Sequence, residues 1–210
     1  VPVLDKFLRR IFMADTSNKI KFGLSNVYYA PITATADGVP TYGTPVRIPG
    51  AVSLSLNASG SSDAFYADNI KYITTDTNSG YEGDLEVALI PDSFKTSILG
   101  ETKDATNGIV IENSDTKVKE FALLFQIEGD VNAKRFCMWR CSATRPNVEG
   151  QTKEDKTEPK TEKLTITAMA REDTHDIKCY ASPSDTAYST WFTAVPERTP
   201  VTENSGPSGT

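Results

Sequence analysis

Residues Gly80–Gly100 read GYEGDLEVALIPDSFKTSILG. This stretch holds a strand, a sharp turn and a short helix in succession. Leu85, Val87 and Leu89 alternate with Asp84, Glu86 and Ala88, which is the period-two pattern of a half-buried strand. Pro91 ends the ladder because it has no N–H to donate. Asp92 is placed to cap the turn that follows by accepting its orphan N–H groups. Ser93–Leu99 reads as a short helix, with Phe94, Ile98 and Leu99 at helical spacing as its packing anchor and Gly100 as its stop. No other segment calls as firmly for a helix. The expected class is therefore mainly β with one short helix, and that helix must cover a face or an end of a sheet.

Upstream, Lys19–Ile32 is rich in Val, Tyr and Phe and reads as a strand, and Thr33–Thr44 reads as a loop punctuated by Asp37-Gly38, Pro40 and Gly43. From Ala51 the chain alternates, with Val52, Leu54 and Leu56 directed inward and Ser53, Ser55 and Asn57 outward. A Gly/Ser turn over Ala58–Asp63 leads to Ala64–Thr75, read as one strand bearing aromatics. Downstream, Lys119–Glu128 and Lys134–Ala143 flank a five-residue turn and form a hairpin. Phe121, Leu123, Phe125 and Ile127 share one face of it. Phe136, Met138 and Arg140 share one face of the partner strand, with Cys137, Trp139 and Cys141 on the other. Arg145–Lys163 is a solvated connection of mixed charge. Leu164–Met169 is a strand, and Tyr188–Val195 reads as a last edge strand or a terminal helical turn. Residues 1–12 form an apolar stripe at helical spacing, either an arm that docks on a neighbour or an extension ahead of Met13.

The net charge is −6 over 210 residues. A protein that grips nucleic acid needs a basic stripe, so this balance argues against such a function but not against a surface past which nucleic acid slides. Cys137 and Cys141 sit roughly 13 Å apart on a straight strand at about 3.3 Å per residue, too far to bridge. An odd count of three cysteines without a framework suggests a reducing compartment. No apolar run is long enough to span a membrane as a helix.

The catalytic inventory is thin. His175 is the only histidine and reads as a surface residue. No nucleophile elbow, P-loop, dinucleotide fingerprint or HExxH motif occurs, and the cysteines have no zinc spacing. No catalytic residue, metal ligand or cofactor is assigned. Glu82, Asp84 and Glu86 recur at every second position and project from one strand face. On a single chain such a row is a solvated face. Repeated around a ring it becomes a wall of negative potential.

The blocks NKIKFGLSNVYYAPIT, YGTPVRIPGAVSLSL, FYADNIKY, GYEGDLEVALIPDSFKTSILG, KEFALLFQIEGD, SATRPNVEG and TEKLTITA resemble, in order and spacing, the major tail tube proteins of long-tailed phages of Gram-positive bacteria. The resemblance covers Asn18–Arg171. It implies a β-sandwich or partly open barrel with one short helix, no enzymatic activity, and subunits that form hexameric rings stacked into a hollow tube through which DNA passes on ejection. It also implies assembly in the host cytoplasm, a place in the virion tail, and tail-tip, tape-measure and tail-terminator proteins as partners, with no membrane. The expected organisation is an arm or extension over residues 1–17, a tail tube β domain over 18–195 and a flexible, Pro/Ser/Gly-rich tail over 196–210. Within that frame Ser53, Ser55, Asn57, Glu82, Asp84 and Glu86 are the candidates to face the lumen. The alternative from another class is a monomeric Ig-like binding or capsid-decoration module, and a weaker one is a hydrolase using the carboxylates.

Overall fold

A computed structural model of the chain describes residues 18–150, 152 and 160–199. The expected N-terminal arm and most of the expected C-terminal tail lie outside the described residues.

The strands in chain order are β1 (Lys21–Ala36), β2 (Val39–Tyr42), β3 (Val46–Ile48), β4 (Ala51–Ser59), β5 (Ser62–Ala67), β6 (Ile70–Asp76), β7 (Gly80–Val87), β8 (Thr102–Lys103), β9 (Val110–Ile111), β10 (Phe121–Gly129), β11 (Lys134–Ala143), β12 (Glu162–Met169) and β13 (Lys178–Ala181). Between β7 and β8 lies α1, an α-helical turn over Asp92–Phe94 that continues as a π-helical turn over Lys95–Leu99. Nine strands form the main sheet, in the order β2-β1-β10-β11-β12-β7-β4. β3 lies on the other edge of β1 from β10, and β13 shares an edge of β11 with β12. Every pairing is antiparallel. The chain steps from the edge of β1 to the edge of β7 across Pro49-Gly50, so the sheet curls without closing, as in a partly open barrel.

One face of the sheet carries the main core. Val27 and Tyr29 of β1, Phe121, Leu123 and Phe125 of β10, Met138 and Cys141 of β11, Leu164, Ile166 and Ala168 of β12, and Leu85 and Val87 of β7 all contribute to it. α1 covers this face with Phe94, Ile98 and Leu99, which are 0%, 0% and 3% exposed. The Phe94 ring meets Tyr29 and Phe121 edge-on, with centroids 4.9 and 5.4 Å away, the arrangement aromatic quadrupoles favour. Gly100 ends the helix at φ 80, and its missing Cβ would sit 2.1 Å from Cγ2 of Thr116. Position 100 therefore needs glycine for both conformation and space.

Several expectations are corrected by local geometry. Asp92 is the first helical residue and makes no capping bond; Pro91, in extended conformation, occupies the cap position. Leu89 lies beyond the end of β7 and is 64% exposed, while Ile90 takes the buried place at 1%. The amide of Ile90 donates to Oε2 of Glu162 at 2.6 Å. Val52 is not inward: the register slips between Ala51 and Ser53, and the bulged residue turns out to solvent. A second slip, between Met138 and Cys141 opposite Leu123 and Phe121, puts Cys141 in the main core while Cys137 and Trp139 stay on the other face. An extra residue in one strand breaks strict alternation, and only the pairing partner reveals it. Thr33–Thr44 is a hairpin, with β1 running on to Ala36 and pairing β2 around Asp37-Gly38. Ala64–Thr75 is likewise the bulk of a hairpin, β5–β6, which reverses at Asp68 and Asn69. Both residues have positive φ, as a type I′ turn demands. Of the two readings for Tyr188–Val195, the helical one is nearer: the segment is a series of turns following a 3-10 turn at Thr186–Tyr188.

Candidate functional site

On the face opposite α1, the registers of β4, β7 and β12 align three polar rows. Ser53, Glu86 and Lys163 form one row; Ser55, Asp84 and Thr165 the next; Asn57, Glu82 and Thr167 the third. All six lumen candidates thus share one face of the sheet. Adjacent rows are about 6.8 Å apart along the strands and adjacent residues in a row about 4.8 Å apart.

The rows are hydrogen-bonded crosswise. The Ser53 hydroxyl donates to Oε2 of Glu86 at 2.9 Å, Thr161 donates to its Oε1 at 2.5 Å, and Thr165 donates to Oδ1 of Asp84 at 2.9 Å. The bond from Thr161, followed by that from Ser53, holds the Glu86 carboxyl below its ordinary pKa, and Lys163 adds to the effect. A glycosidase needs one carboxyl held protonated as a general acid, and Glu86 is shifted the opposite way. The concavity lined by Asn57, Glu82, Asp84 and Thr165 is open. What this surface offers at neutral pH is fixed negative charge flanked by hydroxyls, on a wall.

The other half of the same face is covered. Ala122 and Leu124 of β10, Ala30 of β1, and Cys137 and Trp139 of β11 lie beneath Trp191 and Val195 of the C-terminal segment. Trp139 Nε1 donates to the Pro196 carbonyl at 2.8 Å, and Trp191 Nε1 to that of Phe136 at 3.2 Å. The Arg135 guanidinium stacks over Tyr188 and Phe192, at 3.8 and 4.8 Å from the ring centroids. Arg171 is 4% exposed and binds Asp173 at 2.7 Å and Glu197 at 2.7 Å. Pro196 is bonded to Trp139 of β11, and Glu197 and Arg198 pair with Arg171 and Asp176 between β12 and β13.

A second surface went unrecognised in the sequence. The β4–β7 hairpin continues past Gly60 and Thr77 as β5–β6, which leaves the sheet. Phe65, Tyr66, Ile70, Tyr72 and Ile73 on it are each 57–70% exposed. The signal was present: two short runs rich in aromatic and β-branched residues separated by Asp68-Asn69. His175 lies at an exposed turn with φ 57. Among the described residues no cluster of His, Cys, Asp and Glu is arranged to hold a metal ion.

A mainly β chain that couples a curled, unclosed sheet to one covering helix is the architecture the resemblance implied, and comparison with known families agrees. The family model for phage tail tube proteins matches residues 12–195. The chain belongs to the phage tail tube protein family. It is a structural component of a phage tail and not an enzyme. No curated protein sequence matches the chain. Among solved structures, the cryo-EM structure of the anti-feeding prophage cap (AFP tube terminating cap) is similar at 9% identity and a TM-score of 0.39, covering 81% of this chain and 98% of that one. No helix among the described residues is long and apolar enough to cross a membrane.

Proposed function

We propose that this protein forms hexameric rings that stack into the hollow tail tube of a long-tailed phage of a Gram-positive host, and that DNA passes through the tube on ejection. The observation that carries this reading is the pair of unlike surfaces on one long hairpin. Its base, β4–β7, presents the polar rows, and its tip, β5–β6, presents large apolar side chains that stand exposed among the described residues. An apolar projection of this kind needs a partner, and we assign it to contact with a neighbouring copy. The outer edge of β4 is unpaired among the described residues. Joining such edges from copy to copy around a ring removes an aggregation hazard and continues the sheet.

In this arrangement Ser53, Ser55, Asn57, Glu82, Asp84 and Glu86 face the lumen. Their action is passive: fixed carboxylates repel the phosphate backbone and hydroxyls wet it, so DNA slides without binding. Residues 18–195 form the tube domain. Assembly takes place in the host cytoplasm, with tail-tip, tape-measure and tail-terminator proteins as the further partners.

Electron microscopy of the concentrated protein, alone and with tail-tip complex, tests the proposal. Hollow tubes of uniform width are the expected result, and a reconstruction would locate the polar rows. A chain that stays monomeric under both conditions favours the Ig-like module. Rows of Glu82, Asp84 and Glu86 on the outer wall would overturn the lumen assignment.

A further inference from the structure

Cys137 in β11 and Cys179 in β13 are direct cross-strand partners. Directly opposed residues of an antiparallel pair project to the same face, with Cα atoms roughly 4.5–5.5 Å apart. A disulfide requires about 4.4–6.8 Å, so the backbone already meets its demand. Both side chains belong to the apolar cluster beneath the C-terminal segment. Cys141, four residues along the same strand, is carried to the opposite face by the bulge. The odd count of cysteines thus resolves into one facing pair and one isolated thiol, and all three are free in this structure.

We propose that Cys137 and Cys179 form a reversible disulfide site, closed by a small-molecule disulfide of the glutathione class. The two thiols are unlike in a way that orders the steps. Cys179 is half-buried, whereas Cys137 is fully buried. Burial, followed by the neighbouring Cys179 thiol, pushes the Cys137 thiol well above its ordinary pKa, which makes it a poor first nucleophile. Cys179 loses its proton to water and attacks one sulfur of the oxidant. The oxidant's S–S bond breaks, one glutathione thiolate leaves, and a mixed disulfide forms on Cys179. Cys137 then attacks the Cys179 sulfur, its proton passing to the second glutathione thiolate as that group leaves, while the first takes a proton from water. Two protein thiols are oxidised to one disulfide and one glutathione disulfide is reduced to two thiols, so atoms and electrons balance.

The bond would join the short edge strand β13 to the centre of the sheet. β13 leads directly into the segment that lays Trp191 and Val195 over β10 and ties Pro196 to Trp139. The closed form therefore clamps the C-terminal cover, and the open form leaves it held by packing, hydrogen bonds and ion pairs alone. A particle assembled among reduced thiols and released into an oxidising medium meets both conditions.

The test treats the folded, full-length protein with oxidised glutathione, quenches it in acid, and maps peptides without reduction. The expected result is loss of two thiols, a linked peptide pair containing Cys137 and Cys179, and Cys141 still free. The oxidised form should melt several degrees higher, with the shift reversed by dithiothreitol. Cys179→Ser should abolish the link, and Cys179→Ala checks that this loss does not come from the new hydroxyl. Three free thiols after treatment that oxidises the denatured chain would overturn the site. So would a stable glutathione adduct on Cys179 that never closes, or a link through Cys141. A link that forms without moving the melting temperature would overturn the clamp.

Discussion

The face of the main sheet opposite α1 has two halves built on the same pleat. On β12, β7 and β4 its outward residues are Lys, Thr, Glu, Asp, Ser and Asn, and no part of the described chain covers them. On β11, β10 and β1 the equivalent positions are Cys137, Trp139, Ala122, Leu124 and Ala30, and they are sealed by Trp191 and Val195. The backbone pairing is alike in both halves, so the difference lies in the second phase of each strand. β7 fills one phase with Leu85 and Val87 and the other with Glu82, Asp84 and Glu86. β10 fills both phases with apolar residues from Phe121 to Phe125. Hydrophobic surface in both phases obliges the chain to supply a second cover, which the C-terminal segment provides. A polar second phase leaves the surface free for the solvent or for another molecule.

The largest effect is expected on the other face of the sheet, beneath α1. Phe94→Ala removes the ring wedged between Tyr29 and Phe121 and should cost about 3–5 kcal/mol. Denaturant melts measure it, and an unchanged midpoint would remove α1 as the anchor of the core. Trp191→Ala strips the cover from one half only. It should cost about 3 kcal/mol and raise hydrogen exchange at β13 and the C-terminal turns while leaving β7 protected. Equal loosening of β7 would break the distinction between the halves.

Acid titration provides a third test. The Glu128 carboxyl on β10 is held below its ordinary pKa by hydrogen bonds from Ser25 and then Gln126, with Arg135 nearby. Glu86 on the bare half and Asp173 beside Arg171 are shifted in the same direction. A carboxyl whose folded pKa is depressed contributes stability above its unfolded pKa, and that contribution is lost as pH falls through the folded value. The melting temperature should therefore drop as pH falls below about 4.3, the ordinary Glu value. Glu128→Gln should make that slope shallower. An unaltered slope would show that its hydrogen bonds do not favour the charged form.

The smallest effects on folding belong to the uncovered surfaces. Glu86→Gln on the polar rows should leave monomer stability nearly unchanged, and Phe65→Ser with Ile73→Ser on the hairpin should change it by less than about 0.5 kcal/mol. The hairpin variant should nonetheless lose self-association in sedimentation, whereas Glu86→Gln should keep it. A large loss of monomer stability in the hairpin variant would show that β5–β6 is part of the core after all.

Much of this architecture was legible from local pattern. The alternation at Leu85 and Val87, the helix stop at Gly100 and the shared face of Glu82, Asp84 and Glu86 depend on neighbours one to four residues away. The period of side-chain direction and the φ freedom of glycine are properties of the chain itself. What escaped local reading depends on a partner strand or a distant segment. Val52 turns outward and Cys141 changes face because a bulge is defined only by the strand opposite. Ala64–Thr75 reads as one strand until it folds back on itself at Asp68-Asn69.

The sequence by itself therefore determined the mainly β class, the short helix over residues 92–99 with Phe94, Ile98 and Leu99 on its buried side, and which carboxylates stand in a row. It did so because strand and helix periods are local. The tertiary structure alone decided that Ser53, Asp84 and Thr165 belong to one surface, that Trp191 covers β10, and that Cys137 faces Cys179. These contacts join residues tens of positions apart, and burial, register and thiol pairing are properties of the meeting rather than of either partner.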